Sequence, residues 1–213
     1  MEFLQNLTPE KCLEILKEGN LRFITSLNKD HDHLEMVNET REGQYPFAVI
    51  LSCMDSRTSI ELIFDQGLGD LFSIRVAGNI VNDDILASLE YALKYVGSKL
   101  LVVLGHTGCG AINSAKKGVR DGHITGLLQR MQPAISKAML KSGSSCRFGD
   151  TVAYSNVENS LEEILTRSST IKDMFLSGDI GLVGGMYNVT SGEVDFFMDL
   201  TTKYQVTTSQ YAH

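Results

Sequence analysis

A succession of short apolar runs, alternating with stretches of helical periodicity, restricts what this chain can fold into more than any other feature. Residues 46–54, opening Pro46-Phe47-Ala48-Val49-Ile50-Leu51, and 99–105, with Leu100-Leu101-Val102-Val103-Leu104, read as buried central strands. Residues 71–76 and 180–187 add two more. The turn Thr190-Ser191-Gly192-Glu193 then leads into 194–198, a hairpin partner at the sheet edge. Between the strands lie predicted helices. One spans roughly 8–28, with Thr8 as N-cap, Pro9 at the first helical position and Leu13, Leu16, Phe23 and Leu27 on one face. A short helix falls near 61–64, and a longer one runs from the cap Asn82-Asp83-Asp84 to a stop at Gly97. Further helices begin at 110, cover 122–140 with an interruption at Pro133, and surround Val157, Leu161, Ile164 and Leu165. The segment 141–146 reads as a surface loop. The pattern predicts an α/β fold, a mostly parallel central β-sheet of about four strands with an antiparallel edge strand and helices on both faces. No linker or internal repeat divides it, so a single domain over 1–213 is expected.

Composition narrows the function. A net charge of −7 argues against a nucleic-acid partner, which calls for a basic face. No apolar run approaches the roughly 18 residues of a membrane span. Met1-Glu2-Phe3-Leu4-Gln5-Asn6 has no basic start followed by an apolar stretch, so no secretory signal is expected and the cytoplasm is the default. The 4 cysteines are too few for a disulfide scaffold, and two of them stand beside His, Asp and Arg. In a reducing compartment that company favours metal binding or catalysis.

Those two cysteines follow central strands. Residues 46–54 lead into Cys53-Met54-Asp55-Ser56-Arg57, and 99–105 into His106-Thr107-Gly108-Cys109. The carboxyl ends of neighbouring strands flank the crevice in which open α/β sheets hold ligands. Two thiolates and a neutral imidazole make a catalytic zinc set with one coordination position open. If 53–57 stays extended, Cys53, Asp55 and Arg57 point the same way, and Arg57 grips Asp55 through two parallel hydrogen bonds. Alternatively Asp55 binds the metal itself and fills the open position. A helix starting near 110 turns its positive end toward the Cys109 thiolate, with Gly108 and Gly110 allowing the tight backbone. Water on such a zinc ionises far below its bulk pKa, toward ~7 in favourable sites, which makes hydroxide the nucleophile and predicts lower activity in acid. The plainer readings are a small buried Cys53 or a closed structural zinc site. Cys12 and Cys146 lack such neighbours and read as structural or incidental. His31 and His33 fit a solvated loop better than a metal pair.

Together these residues resemble the β-class carbonic anhydrases, marked by C-x-D-x-R (Cys53, Asp55, Arg57) followed by H-x-x-C (His106, Cys109). The likeness extends over almost the whole chain. Gly19-Asn20-Leu21-Arg22-Phe23 is similar to the family's amino-terminal helix signature, and Arg75-Val76-Ala77-Gly78-Asn79 and Ser88-Leu89-Glu90-Tyr91-Ala92 to its middle blocks. Gly185-Met186-Tyr187 and Thr190-Ser191-Gly192-Glu193-Val194 are similar to its terminal hairpin. The resemblance implies a zinc (Zn2+) enzyme interconverting CO2 and bicarbonate, assembled as a homodimer or homotetramer. Cys53, His106 and Cys109 take the metal-ligand roles, Asp55 and Arg57 the catalytic dyad, and Gln66 the place of a substrate-binding glutamine. The subgroup with a second bicarbonate pocket carries Trp three residues before the first cysteine ligand. Ile50 stands there in a chain without Trp, so although Arg75 remains that pocket is incomplete, and a site open at neutral to alkaline pH is expected. A carbon disulfide or carbonyl sulfide hydrolase, and a non-catalytic zinc or bicarbonate-sensing module, are the alternatives.

Overall fold

The computed structural model describes residues 7–142 and 148–201; Cys146 and most of the loop expected at 141–146 lie outside them. The strands are β1 (Ala48–Ser52), β2 (Leu71–Arg75), β3 (Leu100–His106), β4 (Gly181–Tyr187) and β5 (Val194–Leu200), ordered β2-β1-β3-β4-β5. The first four are mutually parallel, and β5 closes the edge antiparallel to β4. This is the sheet the apolar runs predict. Every residue of β1 and β3 is buried, as expected where helices cover both faces and the strand reads as continuous apolar sequence.

Alternation along those strands splits the core in two. Val49, Leu51, Leu101 and Val103 face one side, with apolar residues of α4 (Asp83–Glu90), α5 (Gly110–Lys116), α6 (Ile124–Gln129), α7 (Gln132–Ser142), α8 (Phe148–Arg167) and α9 (Ser169–Ser177). Ala48, Ile50, Leu100, Val102 and Leu104 face the other side, against α1 (Pro9–Ile24) and α3 (Ile60–Ile63). The chain passes from β1 outward to β2 and then returns to β3 on the opposite side of β1. That reversal opens a crevice at the carboxyl ends of β1 and β3.

Several boundaries differ from those expected. Helix α1 ends at Ile24, not near 28, because Thr25 leaves helical geometry and Ser26 takes φ 55°. The polar segment around His31 is not fully solvated. Asp32 accepts hydrogen bonds from the amides of Leu34 and Glu35 and starts α2 (His33–Thr40), while His31 folds inward onto Asp65. The stretch 122–140 divides into α6 and α7 just ahead of Pro133, whose ring is tolerated in a first helical turn. Helix α8 begins earlier than its apolar periodicity suggests, and α9, capped by Ser168 at the Ile171 amide, is an element that pattern reading missed.

Asp65 ties the amino-terminal segment to the sheet. Its residue is 3% exposed and sits at φ 47°, a left-handed conformation that Asp tolerates. Arg22 Nε donates to Oδ2 at 2.5 Å, the Lys29 amide donates at 3.2 Å and Asn28 Nδ2 at 3.3 Å. Burial pushes this carboxyl up, but the Arg22 guanidinium and the Lys29 and Asn28 donors outweigh it and leave the pKa below 3.8. The folded chain therefore takes up this proton only at lower pH than the unfolded chain does. The resulting stability is whole above about pH 5 and drains away as pH falls through the unfolded value toward the folded one. Asp65→Asn should lower the neutral-pH stability by about 2 kcal/mol, the scale of a charge-assisted bond. It should also flatten the acid limb of Tm against pH. Thermal melts of both proteins between pH 3 and 7 check this, and parallel acid limbs would refute it.

Candidate metal centre

The crevice between β1 and β3 collects the residues that the sequence singled out. Cys53 stands one residue beyond β1, His106 ends β3, and Cys109 is the N-cap of α5. One donor atom from each lies within 4.8 Å of the others, and all three residues are buried. The sulfurs of Cys53 and Cys109 are 4.0 Å apart and not bonded. Two Zn–S bonds of about 2.3 Å at a tetrahedral angle place their sulfurs roughly 3.8 Å apart, close to this spacing. His106 Nδ1 lies 3.0 Å from the Thr107 carbonyl, an acceptor, which assigns the ring proton to Nδ1. Nε2 is thereby left with its lone pair, buried and without a hydrogen-bond partner. An orphaned imidazole nitrogen aimed among two thiols is costly for a folded core and ideal for a divalent cation.

The thiols already behave as a unit. The Cys53 thiol is pushed well down, chiefly by the hydrogen bond it shares with Cys109 and against the cost of burial, with help from the Gly78 amide. Gly78 N–H reaches Cys53 Sγ at 3.3 Å from a short turn, 77–79, in which Gly78 adopts φ 68°. The Cys109 thiol is pushed up, since it keeps the shared proton and is buried, although the amides of Ile112 and Ala111 pull the other way. The positive helix end expected at Cys109 is thus present but outweighed by its neighbour. A divalent cation neutralises both sulfurs at once, and the donor set fits zinc.

The dyad forms, though not for the reason expected. The strand ends at Ser52, and Thr58 N–H donates to the Asp55 carbonyl and closes a turn over 55–58. Within that turn Arg57 Nε and Nη2 donate to the two Asp55 carboxylate oxygens at 2.9 and 2.8 Å, and the Arg57 amide adds a bond at 3.0 Å. The guanidinium holds the Asp55 carboxyl well below the usual carboxylate range despite the opposing effect of burial. Asp55 Oδ2 stands 3.9 Å from His106 Nε2, beside the cluster but beyond hydrogen-bonding reach.

Two further residues shape this loop: Thr58, which the sequence did not single out, and Arg75, which it offered only as the remnant of a second bicarbonate pocket. Thr58, buried, lies with Oγ1 2.9 Å from the Cys53 carbonyl and 2.8 Å from that of Asp55. Arg75, at the end of β2, donates from Nη2 to the Asp55 carbonyl at 2.5 Å and from Nε to that of Cys53 at 3.3 Å. Only the pairing of β2 with β1 brings Arg75 there, and no local pattern signals it. Gln66 donates to the carbonyls of Phe64 and Asp65 within its own turn. His31 and His33 join no cluster of metal-ligating side chains among the described residues.

Comparison with known proteins places this geometry in a family. The family model described as carbonic anhydrase matches residues 48–194, a stretch containing both motifs. Carbonic anhydrase 2 of Mycobacterium tuberculosis is 34% identical over 198 residues, covering 89% of this chain and 93% of that protein. The chain belongs to the β-carbonic anhydrase family. A carbonic anhydrase of Mycolicibacterium smegmatis is 30% identical to this β-carbonic anhydrase, covering 90% of this chain and 95% of the relative. Among solved structures, the β-carbonic anhydrase CcaA superposes with a TM-score of 0.69 at 26% identity, covering 87% of this chain and 85% of its own. A tetrameric β-carbonic anhydrase of Sordaria macrospora shares the fold, with a TM-score of 0.72 at 22% identity over 78% of this chain and 88% of that one.

Proposed function

We propose that this chain carries out the zinc-dependent reversible hydration of carbon dioxide to bicarbonate and a proton, with Cys53, His106 and Cys109 as metal ligands and Asp55 and Arg57 as the adjoining dyad. The observation that carries the assignment is the partnerless, buried His106 Nε2 facing two buried sulfurs. Zinc in such a set acidifies water, supplying a nucleophile near neutral pH. Asp55, ionised through its bond to Arg57, can only accept hydrogen bonds. It would therefore accept a hydrogen bond from the nucleophile that zinc supplies and so turn the oxygen lone pair toward the carbon of CO2. Arg57 bonds both carboxylate oxygens and holds Asp55 in this orientation, with Oδ2 3.9 Å from the imidazole. This supports Asp55 as an orienting group over Asp55 as a fourth ligand. Gln66 is the proposed substrate-side amide, tested by a rise in KM in Gln66→Ala.

Metal analysis with stopped-flow CO2 hydration tests the reading: one zinc per chain and rapid turnover are expected. Asp55→Asn should keep its zinc while CO2 hydration falls by roughly 100-fold, the scale of a misoriented reactant. Unchanged turnover in that variant would remove Asp55 from the mechanism.

Assembly into homodimers or homotetramers belongs to the same proposal. The Sordaria macrospora neighbour is tetrameric, and the edge strand β2 carries half-buried Phe72 and Ile74, which share a hollow with the exposed Tyr91. Light scattering on the purified protein decides the mass. A cytoplasmic location agrees with unbonded Cys12, Cys53 and Cys109, and no helix among the described residues is long and apolar enough to cross a membrane.

A further inference from the structure

Helix α8 supplies no member of the metal cluster, yet it buries one carboxamide toward it. Asn156 is 2% exposed on a helix whose buried face is otherwise apolar (Val152, Ala153, Val157, Leu161 and Ile164) but for Ser155 and Ser160. An amide in such surroundings is costly unless hydrogen-bonded. Asn156 Nδ2 donates to the Gly78 carbonyl at 2.8 Å, and one helical turn on, Ser160 Oγ donates to the Asn79 carbonyl at 3.2 Å. These bonds hold successive carbonyls of the turn whose Gly78 amide points at Cys53 Sγ. The two peptide units that matter meet at one Cα, that of Gly78, at φ 68° and ψ 22°. Glycine moves readily between backbone wells, so this amide is aimed only as firmly as the carbonyl beyond it is held.

We propose that Asn156 is a positioning residue for the metal centre: by fixing the Gly78 carbonyl it keeps the Gly78 amide on Cys53 Sγ, and so sets the orientation and donor strength of that ligand. Ser160 acts in the same direction, one peptide further along. The inference rests on Cys53 being a zinc ligand, as proposed above. Groups one bond removed from a metal ligand tune the metal in this way.

The test compares wild type with Asn156→Ala, Asn156→Asp, Ser160→Ala and Ile164→Ala, the last removing buried apolar atoms further along α8 without touching the turn. Zinc affinity is read by chelator competition. Thiolate donation is read from the sulfur-to-metal charge-transfer band of the cobalt(II)-substituted protein. Loss of the N–H···S bond leaves a more electron-rich sulfur, so the band should move to lower energy in both Asn156 variants. Zinc affinity should nonetheless fall by about 10–100-fold, because the released turn no longer holds Cys53 in place, with a smaller change in Ser160→Ala and none in Ile164→Ala, whatever its Tm. Asn156 variants with wild-type band and affinity would overturn the inference, as would an Ile164→Ala variant that reproduces both changes. If the Asn156 variants do not fold, Ser160→Ala decides, and an unmoved band there is fatal. Wild-type protein that takes up no zinc would instead sink the ligand assignment itself.

Discussion

Cys109→Ala should yield a folded protein with little zinc and a CO2 hydration rate lower by at least about three orders of magnitude, because metal coordination is what carries the pKa of water from 15.7 toward 7. The substitution removes one of the two sulfurs, 4.0 Å from its partner, and leaves Cys53 and His106 as an incomplete pair of ligands. It also removes the thiol that shares a hydrogen bond with Cys53, so the remaining sulfur keeps the Gly78 amide but loses its neighbouring sulfur. The fold should survive, because Cys109 caps a short helix at the rim of a core that many other apolar residues build. Metal content, circular dichroism and stopped-flow rates on one preparation separate these effects. Cys12→Ala is the control. That thiol lies in the opposite core, where burial pushes it up to about 12, and its loss should change neither zinc nor rate. Wild-type turnover by a zinc-free Cys109→Ala protein would contradict the assignment of the site.

The parts of this molecule legible in its sequence are those governed by periodicity and by residue type. Strands β1 and β3 are buried on both faces, so they read as uninterrupted apolar runs, and their carboxyl ends mark the crevice before any coordinates are known. Cys53, His106 and Cys109 are legible because two thiols and an imidazole in such places have few other uses. What stays hidden depends on pairing across the chain. Arg75 reaches the Cys53 carbonyl because β2 lies beside β1, and Asn156 reaches Gly78 across 78 residues. Neither contact leaves a local pattern. The bidentate bond between Asp55 and Arg57 arises in a turn, although strand alternation suggested it, so a pair expected on one geometric ground forms on another. Helix α9 is short, but its Ser168 cap, its Ile171, Met174 and Phe175 face and its stop at Gly178 are all in the sequence, so this element was legible and overlooked.

The largest stability effect expected from one exchange belongs to Asn20, a residue with no part in the chemistry. Within Gly19-Asn20-Leu21-Arg22, α1 lies so close to the chain that a Cβ on Gly19 would stand 1.8 Å from the Phe64 carbonyl oxygen, and only backbone can move there. Beside it, Asn20 is 6% exposed and joins three segments. Its Nδ2 donates to the carbonyls of Ile63 at 3.2 Å and Gly192 at 2.9 Å, and its Oδ1 accepts from the Val194 amide at 2.9 Å. No aliphatic side chain satisfies any of these groups. Asn20→Ala leaves all three short of a partner, at about 1–3 kcal/mol each for a buried group. A total near 3–5 kcal/mol is therefore expected, or a fall in Tm of about 10 °C for a chain of this size. Asn20→Asp keeps the acceptor and loses both donors while burying a charge, so it should fare no better. Leu21→Ala, one residue on and 58% exposed, should melt within about 2 °C of wild type. Thermal and urea unfolding of the three variants check the order. An Asn20→Ala protein as stable as Leu21→Ala would mean that α1 is held by its apolar face alone, through Leu13 and Leu16, and that its polar signature serves something other than docking.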